Sequence, residues 1–503
     1  MDVTTLGDNV SNAIIYSSLG LFLAIGLYAG RNSRKDLELF IKSLYSQSVI
    51  SLALNFVAVN VGSSLFYSLP ELGTIAGVLG VFAYAFSGAF PIILLGIIGP
   101  KFREHDSQNW SMSSFIVQRF GNYLNVLYCL ICLIFMLLYT VGEMSTIYGV
   151  YGLLTTINPL IPLIILAVVT SVYSAFGGVF ASLITDAFQS IFAILLIVIM
   201  AIAVGVKVKI PAGAIDSIGL LKPTKIGWQS IYILTVALTF SSMFHQGFWQ
   251  RIFASKNTRE LKLSSRLGAL MIFLLFMLVG MAGPISAWSG LWIPGGDVPG
   301  SNSFFSILAA MPEWVVGIVL VIVTSMACSA MDTLLAATAG TLYDLTYQKL
   351  NFIAIRIIMV VFMVPVVILS VKSLDILRIF LLADLIACAT VLPILFGLSS
   401  RFNYLTEIDA LVGGTAGILS IGIFGQIYFG NVSQGWGLLL LQDGLYVSDL
   451  SVLGAFLVSP IVSAIFPFLS YFVRFVIYKS LKKEMPVYEI PYRHDYPAEK
   501  DGN

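Results

Sequence analysis

Ser325, Cys328, Ser329 and Asp332 fall at spacings i, i+3, i+4 and i+7 inside a long apolar run. On a helix they form one polar stripe on an otherwise apolar surface. Oxygen ligands aligned on one face suit a hard cation, Na⁺ in particular, although small hydroxyl residues at this spacing also serve ordinary helix packing. Asp332 fits the packing account less well. An ionisable side chain at the centre of a membrane helix costs about 2.5 kcal/mol or more, so it needs a partner, water or an ion. Glu143, Asp186 and Asp384 are the other acids deep in apolar runs.

A cation on one helix face needs further ligands from a second backbone, and two stretches could supply them. In "AVNVGSSLFYSLPELG", residues 58–73, the weak helix formers Gly62, Ser63 and Ser64 stand in mid-span, followed by Pro70. Unwinding there would free carbonyls and amides at the bilayer midplane, as in transporters whose broken helices bind ion and substrate. In "VYSAFGGVFASLITDAFQS", residues 172–190, the chain is expected to bend at Gly177 and Gly178, with Asp186 and Gln189 one turn apart. That aspartate could cap a helix or hold a cation.

The elements that must position these groups are membrane spans. Of 503 residues, 58% are hydrophobic and 11% charged, more apolar surface than soluble domains could cover. A span needs about 20 apolar residues. Thirteen runs qualify: 13–30, 47–68, 74–99, 121–148, 157–176, 183–206, 227–250, 266–290, 314–343, 352–371, 376–398, 408–429 and 450–478. None alternates as barrel strands do, so the chain reads as an all-α polytopic membrane protein. With the N-terminus outside and the C-terminus inside, twenty-one of the 27 lysines and arginines fall on the cytoplasmic side, Arg251 among them, as the positive-inside rule asks. The loop 207–225, with four lysines, is the local violation.

Other classes fit less well. Net charge of +1 gives no reason to expect a nucleic-acid partner. The four cysteines (Cys129, Cys132, Cys328, Cys388) lie within spans, which argues against disulfides and zinc. The histidines (His105, His245, His494) are scattered, as an enzyme's would not be, and His245 is expected to pack or cap at a span's end. The tail from Lys479 is polar and expected to be disordered. No signal peptide precedes the first span, which is expected to act as its own insertion signal. Sequons at Asn9 and Asn431 fall on expected outer segments, and a third, at Asn109, inside.

Together these stretches resemble the sodium:solute symporters, the family of the sodium/glucose cotransporters and the bacterial proline permease. The resemblance rests on "AVNVGSS" (Ala58 to Ser64), "YSAFGGVFASLITDAFQ" (Tyr173 to Gln189), "HQGFWQRIFASK" (His245 to Lys256) and "TLYDL" at Asp344, four motifs in order. It implies a LeuT-like core of five plus five helices in inverted repeat. The first repeat would span 47–206 and the second 207–400, preceded by a segment 1–46 and followed by two added helices in 401–478 and a tail, 479–503. It also implies alternating access, no cofactor beyond Na⁺ as coupling ion, and a protein of the plasma membrane that works among lipids as a monomer.

Carried over residue by residue, the sodium site becomes the carbonyls of Ala58 and Val61 with Ser325, Cys328 and Ser329. Cys328 departs from the family, which has Ser or Thr there, and a thiol is a poor ligand for a hard ion. A second site, found in some members, would use Asp186 and positions now held by Met331 and Asp332, so the two carboxylates could share a cation or a proton. The substrate would meet Asn60, Ser63, Ser64 and Phe66 on the second span. Tyr139, which stands 47 positions before Asp186, and Glu143 would face it from the fourth. Ser241 and Ser242 replace the aromatic pair that stacks on sugar in sugar-carrying members. Buried acids without an intramembrane arginine argue for a small polar or cationic solute: urea-like, an amino acid or an amine. A proton-coupled symporter and an ion channel are the alternatives.

Overall fold

A computed structural model of the chain describes residues 5–31, 33, 36–105, 111–372 and 375–483. Arg34, Lys35, the Asn109 sequon, His494 and the tail from residue 484 lie outside the described residues. Within them no strand forms, and only two isolated bridges occur, Leu6 with Thr155 and Gln47 with Ser255. Helices meet the membrane's demand directly, because they pair their own backbone groups where no water can.

The principal helices are α1 (Asp8–Gly30), α2 (Val49–Asn60), α3 (Leu65–His105), α4 (Asn122–Leu154), α5 (Leu160–Lys207), α6 (Lys225–Ser241), α7 (Gln246–Ala254), α8 (Thr258–Gly280), α9 (Ser303–Leu308), α10 (Glu313–Leu345), α11 (Phe352–Ser370), α12 (Ile376–Cys388), α13 (Glu407–Phe429) and α14 (Ser451–Ser480). Among the described residues nine helices are long and apolar enough to cross a membrane, or ten if the bent pair α6 and α7 is one span. The thirteen expected runs are all helical, but they are divided differently. Two of them, 157–176 and 183–206, lie on either side of the turn at Gly178 that divides α5. The run 47–68 breaks after Asn60, leaving α2 with 12 residues. The run 376–398 splits into α12 and a short helix, Val391–Phe396.

Glycine makes the turns inside the two longest helices. At Gly178 the backbone adopts φ 57°, ψ −148°, a region closed to most L-residues, and a Cβ there would collide with the Phe40 carbonyl. Gly77, at φ 67°, turns α3 against the Leu220 carbonyl, which accepts the Val78 N–H at 2.9 Å.

The centre of the bundle is α10, whose most apolar stretch is 78% buried and which packs on α5, α4 and α1. A helix enclosed by protein can carry polar groups that a lipid-facing one cannot. At the periphery α13 and α14 pack together. Thr406 and Asp409 cap α13 reciprocally, and Arg474 of α14 donates to Asp409 at 2.7 Å.

Gly178→Ala is expected to lower the melting temperature of the purified protein, because the left-handed backbone alone costs about 1–2 kcal/mol with a Cβ. Gly205→Ala, also in α5 but with open space around its Cβ, should leave it unchanged. Equal thermal-shift curves for the two variants would contradict the role given to this turn.

Candidate ion and substrate sites

The break between α2 and α3 is built by composition and held by a carboxylate. Val61 leaves the helix at φ −103°, ψ 78°, so the next amides lose their helical acceptors. Glu143 of α4 replaces them. Its Oε2 accepts the Ser63 N–H at 2.7 Å, the Ser63 hydroxyl at 2.6 Å and the Ser64 N–H at 3.3 Å, while Oε1 accepts the Ser64 hydroxyl at 2.5 Å. At position 62 a Cβ would meet that carboxylate, which would have to shift from its hydrogen bonds. The unwound backbone expected from "VGSS" is therefore present, with Glu143 as its clamp.

Beside the clamp lies a cavity of about 80 Å³. Of the eight expected substrate positions, Asn60, Ser64, Tyr139, Glu143, Ser241 and Ser242 line it. Two do not. Ser63 is committed to Glu143, and Phe66 is fully buried against the Phe304 ring of α9, centroids 4.9 Å apart. Sequence reasoning missed the aromatic wall: Phe135 and Phe380 flank Tyr139 at 4.3 and 4.5 Å between centroids. Phe248, Tyr84 and His245 complete the lining. Tyr139 donates to Asp384 at 3.0 Å, which puts a second carboxylate behind the wall. No lysine or arginine lines the cavity among the described residues.

A separate pocket of about 10 Å³, the space of roughly one water or ion, is lined by Ala58, Val61 and Ser329 together with Gln189 and Met326. Three of the five expected sodium positions thus converge. Ser325 and Cys328 are fully buried on α10 but do not line this pocket, and the Cys328 carbonyl accepts from Tyr173 at 2.9 Å. Both amide atoms of Gln189 and the Ser325 hydroxyl are buried without a hydrogen-bond partner. Gln189 could have been found: it stands i+3 from Asp186, on the same helix face.

The two aspartates do come together, and with them a residue that sequence reasoning misplaced. Asp332 lies within hydrogen-bond reach of Tyr173 at 3.0 Å, Ser182 at 2.9 Å and Thr185 at 2.9 Å, all on α5, the one Tyr173 proton being shared with the Cys328 carbonyl and that of Ser182 with Asp186. Asp186 accepts from Ser329 at 2.5 Å and from Thr333 and Ser182, each at 3.2 Å. Asp332 therefore faces α5, while Ser329 meets both Asp186 of α5 and the pocket at Ala58 and Val61. Asp186 also pairs with Arg251, and both side chains are fully buried. Arg251, expected in a basic loop and without a buried acid as partner, is instead buried in the protein beside Asp186, because α6 and α7 meet at 64° and every residue of α7 is turned inward. His245 caps α7, as expected, its Nδ1 accepting the Gly247 N–H at 3.1 Å.

The arrangement offers a cation-sized pocket beside a broken helix, a buried cluster of two carboxylates with one guanidinium, and an aromatic, carboxylate-bearing cavity. The model of the sodium:solute symporter family matches residues 46–417. A Candida albicans protein described as a spermidine transporter is 36% identical over 484 residues, 95% of this chain and 92% of that one. Among solved structures, a Na⁺-coupled sialic acid symporter superposes with TM-score 0.69 at 15% identity, covering 92% of this chain and 98% of that one. Mhp1, a nucleobase-cation-symport-1 family transporter, gives 0.53 at 15% identity, over 85% of this chain and 95% of that one. These likenesses fix the fold as the LeuT-like transporter fold.

Removing the clamp or its space should weaken the fold. Glu143→Ala leaves buried Ser63 and Ser64 donors unpaired at about 1–3 kcal/mol each, and Gly62→Ala should displace the same carboxylate. Both are expected to melt several degrees below the parent in a thermal-shift assay, and a parent-like Gly62→Ala would count against the clamp.

Proposed function

The chain belongs to the sodium:solute symporter family, and from that premise we propose that it uses a Na⁺ gradient to carry a small cationic amine by alternating access. The carrying observation is the Glu143 clamp. In broken-helix transporters the freed amides meet an anionic group of the substrate. Here Glu143 already holds the Ser63 and Ser64 amides, so a substrate carboxylate would find no free donor and would face a fixed negative charge. That favours an amine over an amino acid. Aromatic faces at Phe135, Tyr139, Phe248 and Phe380 suit an ammonium by cation–π attraction, whereas urea would gain nothing from the carboxylates' charge. The relative described as a spermidine transporter supports the same class.

In this reading Na⁺ occupies the pocket formed by Ala58, Val61 and Ser329, and Gln189 turns its unpaired carbonyl oxygen onto the ion. That oxygen makes up for the thiol at Cys328. Arg251 stands as a built-in cation for Asp186, which leaves Asp332 as the cluster's unbalanced charge and the place for a second Na⁺ or a proton. The halves 47–206 and 207–400 would rock about these sites, with the N-terminus outside.

Proteoliposomes carrying the purified protein test the function. An inward Na⁺ gradient should concentrate spermidine but not neutral amino acids or urea. Uptake that only equilibrates would mean a channel, and accumulation driven by a proton gradient alone would mean the proton-coupled alternative. In the same assay Asp332→Asn should change the Na⁺ dependence if Asp332 holds a cation and the pH profile if it holds a proton, and no change in either would remove it from coupling.

Gln189→Ala is expected to raise the Na⁺ concentration for half-maximal uptake about tenfold, equivalent to ~1.4 kcal/mol. An unaltered Na⁺ response in Gln189→Ala would refute the ligand role.

A further inference from the structure

A larger cavity, of about 650 Å³, lies further along α3 and α4 from the helix break. Ser64 and Glu143 belong to the central cavity, and Tyr67, Glu71, Ser145 and Tyr148 to this one. Seven residues separate Ser64 from Glu71 and five separate Glu143 from Tyr148, so at about 1.5 Å per residue the two cavities are offset by roughly 7–10 Å. Asp375, ahead of α12, and Tyr446, from the loop before α14, close the other side. By the expected orientation this is the outer end of the bundle.

The chemistry of the lining is one-sided. Glu71 and Asp375 contribute two carboxylates, and no lysine or arginine lines the cavity among the described residues. Tyr67, Tyr148 and Tyr446 offer three aromatic faces. Ser145, 8% exposed, lines the cavity with its hydroxyl unpartnered. The carboxylates keep only partial protein partners: Glu71 Oε1 accepts from Tyr446, and Asp375 Oδ1 caps α12 through the Arg378 N–H at 3.0 Å. Among the described residues no bond is seen to the second oxygen of either. A cleft of one charge sign with low-dielectric walls concentrates counter-ions.

We infer that this cavity is an outer capture site for an ammonium-bearing solute, loaded before the solute reaches the cavity at the helix break. The inference rests on the amine reading above and adds a second place of recognition. Its ligand class is a cationic amine, with the di- and triamines gaining most, since two carboxylates can each meet one ammonium. The contact between Glu71 and Tyr446 could serve only as a latch, so the test must separate charge from latch.

Spermidine uptake by the full chain in proteoliposomes at low ionic strength does so. The double variant Glu71→Gln, Asp375→Asn keeps an acceptor for Tyr446 and an adequate cap for α12 but removes both charges. Its KM for spermidine should rise about tenfold, with maximal rate and Na⁺ half-saturation unchanged. Raising the salt should shrink the difference, and Tyr446→Phe, which breaks the latch but keeps the ring and both carboxylates, should raise KM far less than the double variant does. An unaltered KM in the double variant overturns the capture site, as does a fall in maximal rate alone or an equal effect of Tyr446→Phe. If the parent protein shows no saturable amine uptake, the substrate reading falls and the capture site with it.

Discussion

Backbone amides cannot stay unpaired in hydrocarbon, and this constraint shapes the centre of the molecule. A helix that breaks after Asn60 frees donors at Ser63 and Ser64, and α4 answers with the carboxylate of Glu143. The clamp in turn favours glycine at position 62, where a Cβ would strike the carboxylate. It also places a carboxylate at the wall of the central cavity. Fold and cavity chemistry therefore share one residue, because the group that makes the break tolerable also lines the space beside it.

A second constraint governs the cluster between α5, α7 and α10. Burying a single charge is severe, and even a buried pair repays its desolvation only with good geometry and further hydrogen bonds. Asp186 and Arg251 meet that requirement with Ser329, Ser182, Thr333 and the Gly247 carbonyl as additional partners. Among the described residues Asp332 pairs with no cation and lies within reach of three hydroxyls instead. The cluster thus contains two carboxylates for one guanidinium. A packing role would not need that excess of charge, which is why a mobile cation or a proton is the economical reading.

Much of this was legible in the residues. Gly62 to Ser64 announced the break, Gly177 and Gly178 the turn in α5, and the spacing of Ser325, Ser329 and Asp332 a polar stripe on a buried helix. What escaped was direction. The segment 251–266 is basic throughout and reads as one loop, yet a 64° bend carries its first arginine into the protein and leaves the others at the edge. Local pattern cannot show that bend, because nothing in "HQGFWQRIFASK" distinguishes a helix turned inward from one running into water. Phe66 shows the same limit: its neighbours reach the cavity, but α9, distant in sequence, covers it. Burial by a remote segment is a tertiary fact.

The sites adjoin one another closely enough for coupling to have a short physical route. Val61 lines the smaller pocket, while Gly62 and Ser64 line the central cavity, so one unwound turn borders both. On α10, Ser329 lines the smaller pocket and donates to Asp186. Thr333, one helical turn on, lines the central cavity, lies 3.2 Å from Asp186 and accepts from Arg251 at 2.9 Å. An ion drawing on the carbonyls of Ala58 and Val61 would stiffen the same segment that Glu143 holds for the solute. Coupling free energies between sites are typically 1–3 kcal/mol, a magnitude that a few hydrogen bonds on a shared, breakable segment can supply. No long-range relay would be required, because both pockets border the one unwound turn.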